Sequence, residues 1–455
     1  MKKVCVIGGG ISGLCVAYQL KKKGVEVLLF ERNAACGGNI QTERNGDFLI
    51  EWGPNSTLVS NHLFELIAEL GLLEAVATAN ATAKKRYVLK KDNLHSLPLK
   101  IAQIIGTNIF STRTKFKLLR EPFVKSKSPE NESVAEFFRR RFGQEVVDYA
   151  VDPFVSGIFA GNPDKLSVKY AFPSLFQMEK DYGSILKAFV LGKKEKPSGF
   201  LPKGISRTVS FKDGMRTLTD KLAENLRDEI RTETEILKIE KVESCKWKVA
   251  SDSEDLNGEL FDVIIVATPS FVAAKLVENL ESEFSQKLSE IYHPPLSVIV
   301  SAFRKEDINF NLDGFGFLIP KVEQRKILGS LWSSVIFENR APSDVHLLTT
   351  FIGGARNAGL FDKSDDELFH IAQKELDEIL GLKGKPLFQK IKRWARAIPQ
   401  YNLGYEKIID SIESFKKNNA GFFFCSNFYH GISVSDCIKN SVTTTEEVLE
   451  FLKEI

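Results

Sequence analysis

The amino-acid sequence predicts an α/β fold with α+β insertions, on three observations. Residues 2–32, "KKVCVIGGGISGLCVAYQLKKKGVEVLLFER", read as strand, glycine turn, helix and strand. A second buried strand, "FDVIIVATPS", stands at 261–270. Alternating apolar segments, "LSVIVSAF" at 296–303 and "VHLLTTFIGG" at 345–354, read as antiparallel strands. A chain of 455 residues exceeds the roughly 250–300 at which a single core stops growing, so two or three domains are expected. Hydrophobic residues at 43% and charged ones at 27% are the balance of an ordinary folded chain, not a disordered one.

The first strand is apolar throughout, as a parallel sheet covered on both faces requires. It runs into Gly8, Gly10 and Gly13, the GxGxxG spacing, with Gly9 between the first two. The first glycine permits the tight turn, the second lets the backbone approach a pyrophosphate, and the third lets the helix lie close to the strand. The helix, Ile11 to Lys22 with Ser12 in its first turn, points its N-terminal amides at that pyrophosphate. Gly24 ends it, and Val25–Phe30 form the next strand. Glu31 stands 18 residues after Gly13, where a carboxylate accepts hydrogen bonds from ribose hydroxyls and repels a 2′-phosphate. The glycine spacing alone is a weak signal; strand, turn, helix, strand and acid in this order predict a dinucleotide site.

The next stretch, "ERNAACGGNIQTERNGDFLIEWGPNS" at 31–56, distinguishes NAD from FAD. It holds a second glycine pair, Gly37 and Gly38, then a Phe48–Trp52 strand and Gly53-Pro54, where an NAD domain proceeds directly to another helix. This pattern resembles the amine-oxidase-like FAD superfamily. The resemblance implies FAD as cofactor. It places Gly8, Gly9, Gly10, Ile11, Ser12, Gly13, Arg32, Gly37 and Gly38 around the phosphates, and Gly53, Pro54, Asn55 and Ser56 beside the flavin.

Further along, "SFKDGMRTLTDKLAENL" at 210–226 reads as a glycine turn into an amphipathic helix. "IRTETEILKIE" and "KWKVAS" read as paired strands. By the resemblance, the strand at 261–270 re-enters the FAD sheet and Ile236 lies near the adenine. Residues 85–204 read as helical, as in "SVAEFFRRRFGQEVVDYAVDPFVSGIF". After the antiparallel segments, "DKSDDELFHIAQKELDEILGL" at 362–382 reads as a helix with an acidic first turn. The domain reading is therefore an FAD-binding unit of 1–84, 205–296 and 390–455, a helical unit of 85–204, and a substrate-binding unit of 297–389.

The net charge is only +3, but Lys84–Lys127 holds 12 Lys or Arg against Asp92 and Glu121. A second basic cluster follows in "GKKEKPSGFLPKG" at 192–204. Such a surface is either a solvated face or one for anions, meaning lipid headgroups or an acidic substrate. Nucleic acid is not expected, because no recognition module accompanies the charge. The six cysteines, at 5, 15, 36, 245, 425 and 437, include no CxxC pair, so neither a metal site nor a disulfide framework is expected. Only "MKK" precedes the first strand, which predicts no signal peptide and a cytoplasmic protein. No stretch approaches the roughly 18 apolar residues of a spanning helix, so any membrane contact is expected to be peripheral, on the inner face.

Several stretches together resemble the oxygen-dependent protoporphyrinogen and coproporphyrinogen III oxidases. They are "GGGISGL", "GDFLIEWGPNS", "DPFVSGIFAGNPDKLSVKYAFPSL", "FGFLIPKVEQRKILGSLWSSVIFENRAP", "TTFIGGARN", "WARAIPQYNLGY" and "NFYHGISVSDCI", which span residues 8–438. The likeness implies the oxidation of protoporphyrinogen IX to protoporphyrin IX in haem biosynthesis, with O2 or another acceptor taking the electrons and H2O2 formed from O2. Flavin N5 would accept the hydride, so no side chain is expected as acid or base. Leu331 and Phe351 would flank the macrocycle with Leu318 beside them, Gly157 would approach it through its backbone, and Asn55 would lie near a propionate. Trp394, Asn427, Ile432, Ser433 and Val434 would pack on the flavin. Taken alone, Leu318, Leu331 and Phe351 read as core residues of apolar strands and Gly157 as a turn glycine. The alternative within the family is coproporphyrinogen III; Asn55, where that branch often has an acid, favours protoporphyrinogen. More remote alternatives are another flavoenzyme of the superfamily and a non-catalytic FAD- and membrane-binding protein. An anionic membrane surface and a second copy of the chain complete the partners considered. The cluster "CSNFYHGISVSDC" at 425–437 reads as strand, glycine turn and helix entry, with Ser435 and Asp436 starting the helix and Cys425, His430 and Cys437 as bystanders.

Overall fold

Strand Lys3–Ile7 lies at the middle of a five-stranded parallel sheet, in the order Ile230–Arg231, Glu26–Phe30, Lys3–Ile7, Val263–Val266, Phe422–Phe424. Its residues alternate between two cores. Val4 and Val6 pack under helices Ile11–Lys22 and Val434–Glu454, while Cys5 and Ile7 face helices Ser270–Val277, Ser282–Ser289 and Tyr405–Asn418. A strand covered on both sides is apolar at every position, which is why "VCVI" shows no polar alternation. The computed structural model describes residues 2–98, 101–104, 106–125, 127–191, 207–243, 246–252 and 259–455. The basic cluster at 192–204 and Cys245 lie outside them.

A second sheet has seven strands in the order Phe388–Trp394, Leu296–Arg304, Val345–Gly353, Ile327–Leu331, Gly314–Leu318, Lys85–Lys90, Asn93–Ser96. Its pairings are antiparallel except that of Gly314–Leu318 with Lys85–Lys90. Helix Asp365–Leu380 packs its apolar side under this sheet, with Ser364 and Glu367 forming a capping box at its start.

Two strand readings change. Ile230–Arg231 does not continue into Ile236–Glu243: Glu233, at φ 52°, turns the chain, so the first pair edges the parallel sheet and the second pairs with Lys246–Ser251. Lys85–Ser96, inside the span read as helical, is instead a hairpin at the edge of the seven-stranded sheet. Its two-residue turn, Lys91-Asp92, has φ of 51° and 60°, the left-handed pair of a tight hairpin, here without the usual glycine or asparagine. The lysines of "KKRYVLKK" hide the alternation of the strand.

The remaining helices between Thr112 and Leu191 gather around Phe137, Phe142, Val155, Phe159 and Leu166. Arg141, with Glu121 and Glu179 on either side, forms an ion-paired cluster with side-chain exposures of 3% or less. Arg140 bridges Glu132 and Glu179 beside it. Such a cluster holds its helices in one arrangement, because removing a single partner strands a buried charge.

Candidate active site

The glycine turn is built so that side chains cannot enter it. A Cβ on Gly13 would lie 1.9 Å from the Gly8 carbonyl oxygen, so only glycine lets the helix lie this close to the strand. A Cβ on Gly10 would meet nothing within 4 Å: this glycine faces open space at the helix start. There the first amides, Ile11 to Gly13, lack intrahelical partners. The second glycine pair joins the first backbone to backbone, with the Gly37 N–H donating to the Gly9 carbonyl at 2.8 Å and Gly10 bridging Gly37. Glu31 is buried and accepts from the N–H groups of Gly9 at 2.8 Å and Asn33 at 2.9 Å. Ile236 is buried next to Phe30 and Ile7, and the nearby Thr234 N–H donates to the Glu31 carbonyl at 3.0 Å. Arg32 is exposed and makes no ion pair among the described residues.

This cradle fits the diphosphate of FAD. Its open Gly10 face and free helix amides suit an anion, and at its rim the buried Oγ1 of Thr268 has no hydrogen-bond partner among the described residues. The Thr268 carbonyl accepts from Ser426 Oγ at 2.7 Å, which joins the end of strand Val263–Val266 to the C-terminal loop. In the sequence Thr268 is only one residue of "FDVIIVATPS", since an orphaned hydroxyl is visible only once its surroundings are known.

A second group of residues meets some distance along the same surface. A Cβ on Gly53 would lie 1.8 Å from the Asn39 carbonyl oxygen. The loop Gly53–Ser56 that follows is half-buried, and the Asn55 amide donates to the Gly53 carbonyl at 3.4 Å. Trp394 Nε1 donates to the Trp52 carbonyl at 3.0 Å. Thr57 and Ser435 hydroxyls lie 3.3 Å apart, so the loop also touches the start of helix Val434–Glu454. The helix cap is Ser433, whose hydroxyl accepts from the Asp436 N–H at 3.0 Å in a capping box; Ser435 instead reaches the Leu58 carbonyl. That corrects the expected helix start by two residues, a shift that cap chemistry alone permits because Ser433 and Ser435 are equally good caps. The buried Tyr401 hydroxyl donates to the Asn427 carbonyl at 2.6 Å and accepts from the Gly431 N–H at 2.9 Å, holding the turn at 427–431 that precedes half-buried Ile432. Thus Gly53–Ser56, Trp394, Asn427 and Ile432–Val434 come together.

The seven-stranded sheet turns one face to this group. Its registers run Leu318 to Gly329, Gly329 to Phe351, Phe351 to Val298 and Val298 to Lys392. Leu331 stands two residues from Gly329, and Trp394 two from Lys392, so Leu318, Leu331, Phe351 and Trp394 share one face. Lys392 Nζ donates to Gln41 Oε1 at 2.6 Å, and Ile50 and Trp52 pack on Val298 and Phe351, which seats the 41–56 segment on this face. At its other side a Cβ on Gly157 would lie 2.7 Å from Leu318 Cδ2, so helix Asp152–Phe159 covers the strand end through its one side-chain-free position. Leu318, Leu331 and Phe351 remain half-buried.

Sequence reasoning passed over one residue on that face. Val88 pairs with Leu318, so Arg86, two residues before it, points the same way. Its guanidinium stacks 3.8 Å from the Phe315 ring centroid and donates to the Ala83 carbonyl at 3.0 Å. No carboxylate pairs with it among the described residues, and burial pulls its pKa below the usual guanidinium value. In the sequence it is one of 12 basic residues in a basic segment. Lys90 shares its register parity but pairs with Glu145 at 3.2 Å, so register and the lack of a carboxylate partner together distinguish Arg86.

The titratable cluster near the C-terminus is inert. Burial pushes the Cys425 thiol up to about 12 and the Cys437 thiol up to about 11, so both stay protonated and unreactive. The site therefore offers a phosphate cradle, a flat half-buried seat and an apolar sheet face with Arg86 at its edge, unpaired among the described residues.

The flavin containing amine oxidoreductase family matches residues 11–449. Protoporphyrinogen oxidase 2, chloroplastic/mitochondrial, of Arabidopsis thaliana is 35% identical over 481 residues, covering 99% of this chain and 94% of that protein. Coproporphyrinogen III oxidase of Bacillus subtilis (strain 168) is 28% identical over 473 residues, covering 99% and 98%. A crystal structure from Exiguobacterium sp. 255-15 superposes with a TM-score of 0.81 at 25% identity over 99% of both chains. Reduced UDP-galactopyranose mutase, at 14% identity and a TM-score of 0.72, shares the fold alone. The protein is thus a flavin-dependent oxidoreductase with FAD as cofactor, and the chain belongs to the flavin containing amine oxidoreductases and, among them, to the family of the protoporphyrinogen and coproporphyrinogen III oxidases.

Proposed function

We propose that the protein oxidises protoporphyrinogen IX to protoporphyrin IX, with O2 as acceptor and H2O2 as product. The observation that carries this reading is the single sheet face on which Leu318, Leu331 and Phe351 lie between Arg86 and the seat formed by Gly53–Ser56 and Trp394. A porphyrinogen is a broad apolar ring with carboxylates on its rim, and it needs apolar walls with a cation at one edge. Arg86 takes a propionate, Leu331 and Phe351 hold the ring, and Gly157 lets helix Asp152–Phe159 approach it without a side chain. FAD, when bound, supplies the two-electron acceptor for the ring C–H bonds. The protein's part is to hold those carbons at the flavin and exclude water. Asn55 lies beside the flavin and carries no charge, so Arg86 replaces it as the carboxylate anchor.

The apolar exposed residues of the Gly157 helix favour the dicarboxylate over the tetracarboxylate. Phe154 and Ile158 on the Gly157 helix are apolar and exposed, at 49% and 41%, and a propionate against them would go unpaired. The basic excess at 84–127 favours the second reading, coproporphyrinogen III. Supplying each porphyrinogen separately and following product fluorescence decides between them. A kcat/KM for coproporphyrinogen III above that for protoporphyrinogen IX overturns the first reading.

We further propose peripheral attachment to an anionic membrane. No helix among the described residues is long and apolar enough to cross a membrane. Phe116, Leu119 and Phe123 are exposed at 60%, 57% and 79%, and Val190 and Leu191 at 75% and 69%. Arg113, Lys117 and Arg120 lie among the first three, the composition of a surface that enters the headgroup region.

A further inference from the structure

Three elements carry the three residues placed around the substrate ring: helix Asp152–Phe159 carries Gly157, strand Gly314–Leu318 carries Leu318, and strand Val345–Gly353 carries Phe351. One buried ion pair joins all three. The Asp152 carboxylate, at the first residue of the helix, accepts from Arg356 Nη2 at 2.7 Å and from the Lys321 N–H at 2.7 Å. Arg356 Nη1 donates to the Ile319 carbonyl at 2.8 Å. Arg356 sits in the loop that leaves the Phe351 strand, and Ile319 and Lys321 follow Leu318 directly. Both side chains are 9% exposed.

The same loop grips the other end of the helix. The Ala355 N–H donates to the Ala160 carbonyl at 2.7 Å, and Ala160 holds a left-handed φ of 48° as the helix cap. A residue without glycine's freedom stays in that region only where its surroundings hold it. Upstream, the helix continues from a π-helical stretch at Val147–Val151, a wider turn of the kind that recurs at functional sites. The helix is thus pinned at both ends to a loop three to six residues beyond Phe351. In its middle Phe154, Gly157 and Ile158 are exposed, while Val155 and Ser156 are buried.

We propose that Asp152 and Arg356 are positioning residues that set the width of the substrate slot, and so its discrimination between porphyrinogens of different rim substituents. Neither touches the ring. They fix where Gly157, which lies against Leu318, stands relative to Phe351 across the sheet face. With the pair broken, the helix keeps the Ala355–Ala160 bond and the Asp152–Lys321 bond but loses the tie from its N-terminal end to the loop after Phe351, and that end shifts relative to Phe351. The slot then admits rings with different rims more equally. This inference rests on the reading of that face as the substrate site.

The test uses the FAD-loaded, full-length protein with Arg356→Met, Arg356→Lys and, separately, Phe351→Ala. KM and kcat are measured for protoporphyrinogen IX and coproporphyrinogen III, and each variant is normalised to bound flavin from its absorbance. Arg356→Met should raise KM for the preferred substrate by about tenfold and move the ratio of the two kcat/KM values toward unity. Arg356→Lys keeps the charge but cannot reach Asp152 and the Ile319 carbonyl together, so it should shift the ratio in the same direction by less. It is the informative variant if Arg356→Met fails to fold. A merely structural pair would lower the yield of loaded protein and leave the ratio where it was, which overturns the proposal. If Phe351→Ala alters KM while the Arg356 variants do not, the slot reading stands and the clamp fails. If Phe351→Ala also leaves KM unchanged, both fall.

Discussion

Replacing Arg86 by Met separates substrate binding from stability. Met keeps an unbranched stem to lie along Phe315 and removes only the guanidinium. A hydrogen-bonded charge on a propionate contributes roughly 1.5–3 kcal/mol, and each 1.36 kcal/mol is tenfold in rate or affinity, so kcat/KM should fall by roughly 10- to 150-fold. The loss should appear in KM, with kcat changed by less than about threefold, because the carboxylate is gripped equally before and during oxidation of the ring. Stability should move little. The variant loses the stacking on Phe315 at 3.8 Å and the bond to the Ala83 carbonyl at 3.0 Å, roughly 1–3 kcal/mol together. It also removes a charge that burial disfavours and no carboxylate among the described residues balances, and the opposing effects leave the thermal midpoint within a few degrees. Steady-state porphyrin fluorescence and a thermal melt on the same flavin-loaded preparation measure both. A KM within about twofold of the parent's, at normal flavin content, refutes the carboxylate role.

Other outcomes follow from the same structure. Gly53→Ala places a methyl 1.8 Å from the Asn39 carbonyl oxygen, and it should abolish flavin retention through gel filtration; a yellow, fully loaded variant would contradict the tight approach at this loop. Burial raises the Glu51 carboxyl from 4.5 to about 7, so the folded state holds a proton that the unfolded chain has released. The corresponding stability is complete below about 4.5 and is lost as pH rises toward 7, roughly 3 kcal/mol in all. Glu51→Gln should therefore gain thermal stability relative to the parent across that window and hold the gain above it, and parallel melting curves from pH 4.5 to 8 would exclude the effect. Phe123→Asp combined with Lys117→Glu should cut co-sedimentation with anionic vesicles severalfold at low salt; unchanged pelleting would move the membrane surface elsewhere.

The FAD half of the molecule is legible in sequence because its constraints are local. Gly8, Gly10 and Gly13 form one turn within six residues, Gly37 and Gly38 are adjacent, and a doubly covered parallel strand announces itself as "VCVI". The helix at Asp365–Leu380 is equally plain from Ser364, Glu367 and its apolar spacing. Reading failed where local chemistry was ambiguous or masked. Ser433 and Ser435 are interchangeable as caps by composition, and only the contact of Ser435 with Leu58 assigns the cap to Ser433. The strand at Lys85–Lys90 is obscured by lysines that pair with acids such as Asp313 and Glu145.

What the sequence determined by itself is the fold class, the dinucleotide cradle and, through the resemblance of seven segments, the family. These depend on motifs whose parts are adjacent along the chain. The tertiary structure decided that Arg86, one of the 12 basic residues at 84–127, faces the apolar sheet without a carboxylate partner among the described residues, how Trp394 meets the loop after Trp52, and that Asp152 and Arg356, 204 residues apart, join three elements of the slot. Those facts depend on strand register and on long-range pairing. A register shift of one residue would turn Arg86, Leu318 and Phe351 to the opposite face without changing a letter of the sequence.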